Sequence, residues 1–238
     1  MKKIFVLNGS RRRKGNTITF IKTVLEKLPQ DEFLIEYHFP QDFKISSCKG
    51  CGKCFEKASC VINDDLSVLQ SKILQADLLV IASPVYLHYM TADLKRILDR
   101  CSWWTHTLRL QGKPIVVLST CDSNGHKEVV NALGKIMTYM GGNVIASVNA
   151  SRYPDKLNNY VWLATIAQKI NERIKKYISL PLQSNDFLEA YFKVLRNDII
   201  IKDEFLQAHN IENKEVDYWK KTGMIHFESF QKYLSTKK

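Results

Sequence analysis

Nowhere does the chain reach the roughly 20 consecutive apolar residues that a membrane-spanning helix requires. The apolar segment behind Met1-Lys2-Lys3 ends after four residues, short of a secretory h-region. Both absences predict a cytoplasmic protein with no membrane partner. Also missing are the Cys/His spacing of a zinc finger and the glycine–aromatic signature of an RNA-recognition module. The net charge of +11 is therefore not read as a nucleic-acid footprint. Its distribution supports that: residues 151–238 carry 15 Lys and Arg against 11 Asp and Glu, a net of only +4, whereas residues 1–25 carry seven bases and no acid. A local field of that kind suits a phosphorylated small molecule better than a polymer. Cysteines are too few and too clustered for a disulfide scaffold, since four of the six fall between Cys48 and Cys60. In a reducing compartment such a cluster points to a metal, a redox centre or free thiols.

The basic residues converge on one stretch, 8–17, reading Asn8-Gly9-Ser10-Arg11-Arg12-Arg13-Lys14-Gly15-Asn16-Thr17. It lies between an apolar run, 3–7, and an amphipathic segment, 17–28, that places Ile18, Ile21, Val24, Leu25 and Leu28 on one helical face. A strand, a small-residue turn and a helix start make an anion site. The first-turn amides have no intrahelical acceptor, and the helix dipole adds positive potential at the same point. An ordinary turn with solvated charges would look the same in isolation, so the rest of the chain has to decide.

That pattern recurs. Buried-type runs at 32–39, 77–82, 113–119 and 143–148 alternate with helical periodicity at 66–74, 91–103, 126–140 and 157–177. Five strands alternating with helices predict a parallel sheet covered on both faces, doubly wound in the order 2-1-3-4-5. Ligands of such sheets sit beyond the carboxyl ends of the strands where the order reverses, here between strands 1 and 3. The loops opening there begin at Asn8 and Ser83. From about residue 180 the pattern changes to short aromatic-rich helices at 186–196, 202–209 and 215–234. The chain thus divides into a sheet domain, 1–178, and a C-terminal helical extension, 179–238, packing on the core or on a second subunit.

Two further loops meet the predicted crevice. Ser83-Pro84-Val85-Tyr86-Leu87-His88-Tyr89 offers a stiffened turn and tyrosine rings for a planar ligand. The loop 120–125 offers small and amide side chains. Pro84 ending a strand, with tyrosines packed on the tail, is the plainer alternative. Asp99-Arg100 reads as a helix-end ion pair, His88 as a hydrogen-bonded surface histidine, and Cys101 as core.

Taken together, Gly9-Ser10-x-Arg12-x2-Gly15-Asn16-Thr17, Cys48-x2-Cys51-x2-Cys54-x5-Cys60, Cys60-Val61-Ile62-x-Asp64-Asp65, Ser83-Pro84-Val85-Tyr86 and Leu94-Lys95-x3-Asp99-Arg100 resemble the NADPH-dependent FMN reductase family of flavodoxin-like proteins, and within it the iron–sulfur flavoproteins. The resemblance covers roughly residues 1–150. It implies that Ser10, Arg12, Asn16 and Thr17 hold the FMN phosphate, and that Pro84, Val85 and Tyr86, with the loop from Thr120 to Gly125, hold the isoalloxazine. NAD(P)H is the implied donor and a small molecule the acceptor, with no side chain assigned as a catalytic acid or base. A homodimer or larger assembly is expected. The family's turn is often Ser-Pro-Arg, whereas here Arg11 replaces the proline. Cys48, Cys51, Cys54 and Cys60 match a compact [4Fe-4S] ligand pattern, which would make the protein an electron carrier between FMN, the cluster and a ferredoxin-like partner. Structural zinc in a non-enzymatic binding module, and free thiols, stay open beside it.

Overall fold

A computed structural model describes residues 1–237. Five parallel strands, β1 (Lys2–Asn8), β2 (Phe33–His38), β3 (Leu78–Pro84), β4 (Pro114–Cys121) and β5 (Asn143–Ser151), pair in the order β2-β1-β3-β4-β5. This is the order expected from the sequence. Side chains alternate across the sheet with period two. Phe5, Leu7, Leu79, Ile81, Ile115 and Val117 form one core, and Ile4, Val6, Leu78, Val80, Val116 and Leu118 the other. Both faces being covered, every residue of β4 is buried, which explains why 114–118 reads as an uninterrupted apolar run.

One face is covered by α1 (Asn16–Leu25) and α7 (Tyr160–Ser179), which supply Ile18, Ile21, Val24, Ile170 and Ile174 to the second core. The first core takes its cover from α3 (Leu66–Gln75), α4 (Ala92–Asp99) and α6 (Glu128–Tyr139). Two four-residue helices, α2 (Cys54–Lys57) in the cysteine loop and α5 (Trp104–Thr107) after α4, were not legible as separate elements. The second splits off because residues 100–103 turn the chain before Trp103 and Trp104 bury.

The C-terminal segment is helical, with two differences from the sequence reading. The segments expected at 186–196 and 202–209 join in one continuous helix, α8 (Asp186–Ala208). The β-branched run Ile199-Ile200-Ile201 is mildly unfavourable in a helix by propensity. However, Leu188, Phe192, Leu195, Ile199 and Leu206 keep one buried face throughout, and tertiary burial outweighs a few tenths of a kcal/mol per residue. The expected helix over 215–234 is divided into α9 (Lys214–Thr222) and α10 (Phe230–Leu234), because Gly223 adopts a left-handed conformation that ends α9. These helices bury Phe192, Trp219, Met224, Phe230 and Tyr233 together with Leu108 from the loop after α5. Trp219 Nε1 donates to the His106 carbonyl at 2.9 Å, and Tyr191 OH to that of Thr105 at 3.2 Å. Among the described residues no helix is long and apolar enough to cross a membrane.

Candidate flavin site and cysteine loop

The β1–α1 turn is built from the inside out. Fully buried Asn8 turns its Oδ1 to the Ser10 amide (3.1 Å), and Ser10 Oγ accepts the Arg12 amide (3.1 Å). Having accepted that bond, the Ser10 hydroxyl keeps a proton to donate elsewhere. Gly15 caps α1 with no side-chain acceptor, and the first turn contains no acid, so its amides and the positive end of the dipole face outward uncompensated. Asn8 Nδ2 is a buried donor without a partner.

The three arginines of the turn separate into different roles. Arg11 binds Asp93 through two bonds, of 2.6 and 3.0 Å. Arg13 pairs with Asp42 and lies over the Phe39 ring at 4.7 Å. Arg12 makes no ion pair among the described residues and lines a cleft with Ser10, Asn16 and Thr17. An uncommitted guanidinium beside free helix amides is a phosphate-binding arrangement.

The same cleft is closed by Pro84, Val85, Tyr86, Thr120, Cys121 and Asp122. Thr17 Oγ1 and Thr120 Oγ1 hydrogen-bond to each other at 2.7 Å, joining the turn to the end of β4. The sheet therefore brings together eight of the nine candidate flavin residues. The ninth, Gly125, sits behind Val85 with φ +69°, and a Cβ there would run into Val85 Cγ1, so the loop approach requires glycine. The amides of Val85 and Tyr86 are already engaged: Val85 N–H donates to the Thr120 carbonyl (2.8 Å) and Tyr86 N–H to that of Tyr89 (2.9 Å). What Tyr86 offers a ligand is its half-exposed ring. Cys121 and Asp122, within the loop expected at the ligand edge, line the wall, while sequence reasoning missed Thr91, whose hydroxyl donates to the Gly9 carbonyl at 2.7 Å and holds the turn from α4.

Burial pushes the Cys54 thiol up, with Cys60 and Cys48 adding to the rise and a bond with Ser102 opposing it. Cys48 and Cys51 are exposed, Cys54 and Cys60 half-buried, and all six cysteines of the chain are free. Among the described residues no three His, Cys, Asp or Glu side chains meet at single-ion distance. The donor set nevertheless has the chemistry of an iron–sulfur ligand set: thiols alone, on a loop that Gly50 and Gly52 turn at positive φ into open space. The expected Asp99–Arg100 pair does not form. Asp99 binds Lys95 at 2.5 Å, while the Arg100 side chain, 0% exposed, reaches back into the cysteine loop. Its Nη1 donates to Asp64 Oδ2 (2.8 Å) and the Ser46 carbonyl (2.7 Å), Nη2 to Asp64 Oδ1 (3.1 Å), and Nε to Cys60 Sγ (3.1 Å). Arg100 holds the Asp64 carboxyl below its usual range against the opposing effect of burial.

An open 2-1-3-4-5 sheet with an anion cradle at its first βα turn defines a flavodoxin-like protein. The chain belongs to the NADPH-dependent FMN reductase family, whose pattern it matches over residues 2–154. It is 35% identical over 113 residues to an iron–sulfur flavoprotein of Archaeoglobus fulgidus (48% of this chain, 51% of that one). To an iron–sulfur flavoprotein of Methanosarcina thermophila it is 34% identical over 98 residues (41% and 51%). The chain spans about half the length of the curated relatives it matches. Among solved structures, RosB with bound 8-demethyl-8-formylriboflavin-5'-phosphate superposes with a TM-score of 0.61 at 20% identity, covering 83% of this chain and 88% of that one, a likeness of fold.

Proposed function

We propose that the protein is a cytoplasmic FMN-dependent oxidoreductase that takes electrons from NAD(P)H and passes them to a small acceptor. The observation carrying this reading is the cleft at the β1/β3 switch point, where uncommitted Arg12, the Ser10 hydroxyl and the uncapped start of α1 face Tyr86 and the end of β4. In it, Ser10, Arg12, Asn16 and Thr17 hold the FMN phosphate, and Pro84, Val85, Tyr86, Thr120 and Gly125 shape the isoalloxazine slot. Bound FMN supplies the hydride and electron-transfer chemistry. The chain's own residues bind and orient it, keep the ring edge dry and anchor the phosphate. Residues 1–178 act as the flavin domain, 179–238 as a helical extension, and the assembly is a homodimer or larger. An anaerobic absorbance spectrum before and after NADPH tests the activity: a flavin band that bleaches is expected. Protein without flavin and without FMN affinity would sink the reading, and sedimentation as a monomer at micromolar concentration would sink the assembly.

A second reading is favoured by the Arg100–Cys60 contact: Cys48, Cys51, Cys54 and Cys60 ligate a [4Fe-4S] cluster that exchanges electrons with the flavin and a ferredoxin-like partner. The names of the relatives support it. Iron and acid-labile sulfide in anaerobically purified protein decide it, and negligible sulfide refutes it.

A further inference from the structure

We propose that Arg100 is a positioning residue for the redox group of the cysteine loop, fixing Cys60 and raising the group's reduction potential; the proposal rests on the iron–sulfur reading above. Arg100 is an unusual residue to bury. Its side chain is wholly excluded from water at the end of α4, a site where an arginine normally extends into solvent. Asp64 neutralises it through a two-bond fork, and the carbonyls of Ser46 and Ile62 take the other two Nη donors. That leaves Nε–H, held rigid by the planar guanidinium, and its acceptor is Cys60 Sγ at 3.1 Å. A neutral thiol is a weak acceptor, whereas an anionic sulfur bonds a cation strongly. A buried, pre-aimed cationic donor is therefore matched to a sulfur that carries negative charge, as a ligating cysteine does.

Two consequences follow from the same geometry. Hydrogen bonds and positive charge at a ligand sulfur favour the more negative, reduced state of the group it holds. Secondly, Arg100 ties the loop to a helix that is already anchored to the flavin turn. At its start Thr91 donates to Gly9, and Asp93 holds Arg11; α4, eight residues long, spans about 12 Å between these anchors and Arg100. One rigid element thus sets the distance between the phosphate turn and Cys60.

The test compares wild type with Arg100→Lys and with the double variant Arg100→Gln/Asp64→Asn, which leaves no buried charge unpaired. All three are purified anaerobically and reconstituted with iron and sulfide. Circular dichroism and FMN content establish that each is folded. Redox titration followed by electron paramagnetic resonance then gives the midpoint potential, and a chelator gives the half-life of bound iron. Both variants should be more negative by about 59 mV, a tenfold step for a one-electron couple, and should lose iron about tenfold faster. Wild type labelled with 15N-arginine should show guanidinium-nitrogen coupling to the reduced cluster in pulsed resonance, a readout that needs no variant. A cluster-loaded wild type without that coupling, or variants with unchanged potential and iron half-life, would overturn the role of Arg100 while leaving the cluster standing. Wild type that takes up neither iron nor sulfide would remove the iron–sulfur reading and this role with it.

Discussion

Replacing Arg12 by alanine should separate phosphate binding from the general basicity of the turn. Arg12 has no carboxylate to leave behind, so its removal strands no charge, and folding stability should change by no more than about 0.5 kcal/mol. A hydrogen bond to a charged phosphate contributes about 1.5–3 kcal/mol. The side chain is exposed before the ligand arrives, which places it in the lower half of that range. At about 1.4 kcal/mol per factor of ten, FMN affinity should fall about 10- to 30-fold. Arg11→Ala is the matched control. It removes an equal charge from the next position, but one spent on Asp93, and FMN affinity should stay within about twofold. Fluorescence titration of deflavinated protein measures both. Raising the salt from 0.1 to 1 M shortens the screening length from about 10 to about 3 Å and should narrow the gap between wild type and Arg12→Ala. An Arg11→Ala protein weakened as much as Arg12→Ala would refute the argument, because charge density rather than geometry would then govern binding.

Other consequences can be checked with similar means. Gly125→Ala must place a side chain at φ +69° against Val85; it should cost about 1–2 kcal/mol and weaken FMN at least tenfold, and unchanged affinity would show that the two loops need not approach. Glu36 lies 2.8 Å from Lys3, whose hydrogen bond draws its carboxyl from 4.5 to about 2. Because the folded value is depressed, its stabilisation is complete above about pH 4.5 and is lost as the pH falls from there to about 2. Denaturant melts at pH 7 and pH 3 should show a smaller acid loss in Glu36→Gln than in wild type, and equal losses would discount the pair. Trp219→Ala removes a fully buried ring stacked on Phe192 at 5.5 Å and should destabilise by about 3–5 kcal/mol in urea unfolding. A loss below about 1 kcal/mol would show that the helical extension is not cooperatively packed.

The sheet was legible because its signals are local and agree with one another. Apolar runs such as 113–119 have no competing helical period, and Gly141-Gly142 marks a stop that the structure keeps. The cleft was legible through topology: once the strand order is known, residues 8–17 and 83–86 must open at the same edge. Side-chain partnerships were less readable. Asp99 and Arg100 are adjacent in sequence and opposite in charge, yet Arg100 finds its acid 36 residues upstream, in Asp64. Nothing local encodes that choice; it depends on α4 running its C-terminal end beneath the cysteine loop. Helix boundaries in the extension failed for a related reason. Ile199-Ile200-Ile201 is mildly unfavourable in a helix by propensity and belongs to one by burial, and the packed face of α8 outweighs that cost.

The bond between Thr17 and Thr120 also has a consequence for how the protein is made. It closes the cleft across 103 residues of chain, and three parallel strands, β1, β3 and β4, must be in register before the two hydroxyls can meet. Pairings this distant in sequence form late, after their loop-closure entropy has been met by the strands between. During synthesis the phosphate turn leaves the ribosome first and waits, strongly cationic and without its far wall, until β4 docks. A nascent chain ending before residue 120 therefore lacks the wall made by Thr120, Cys121 and Asp122, and the cleft is closed only once β4 has docked, before β5 completes the sheet.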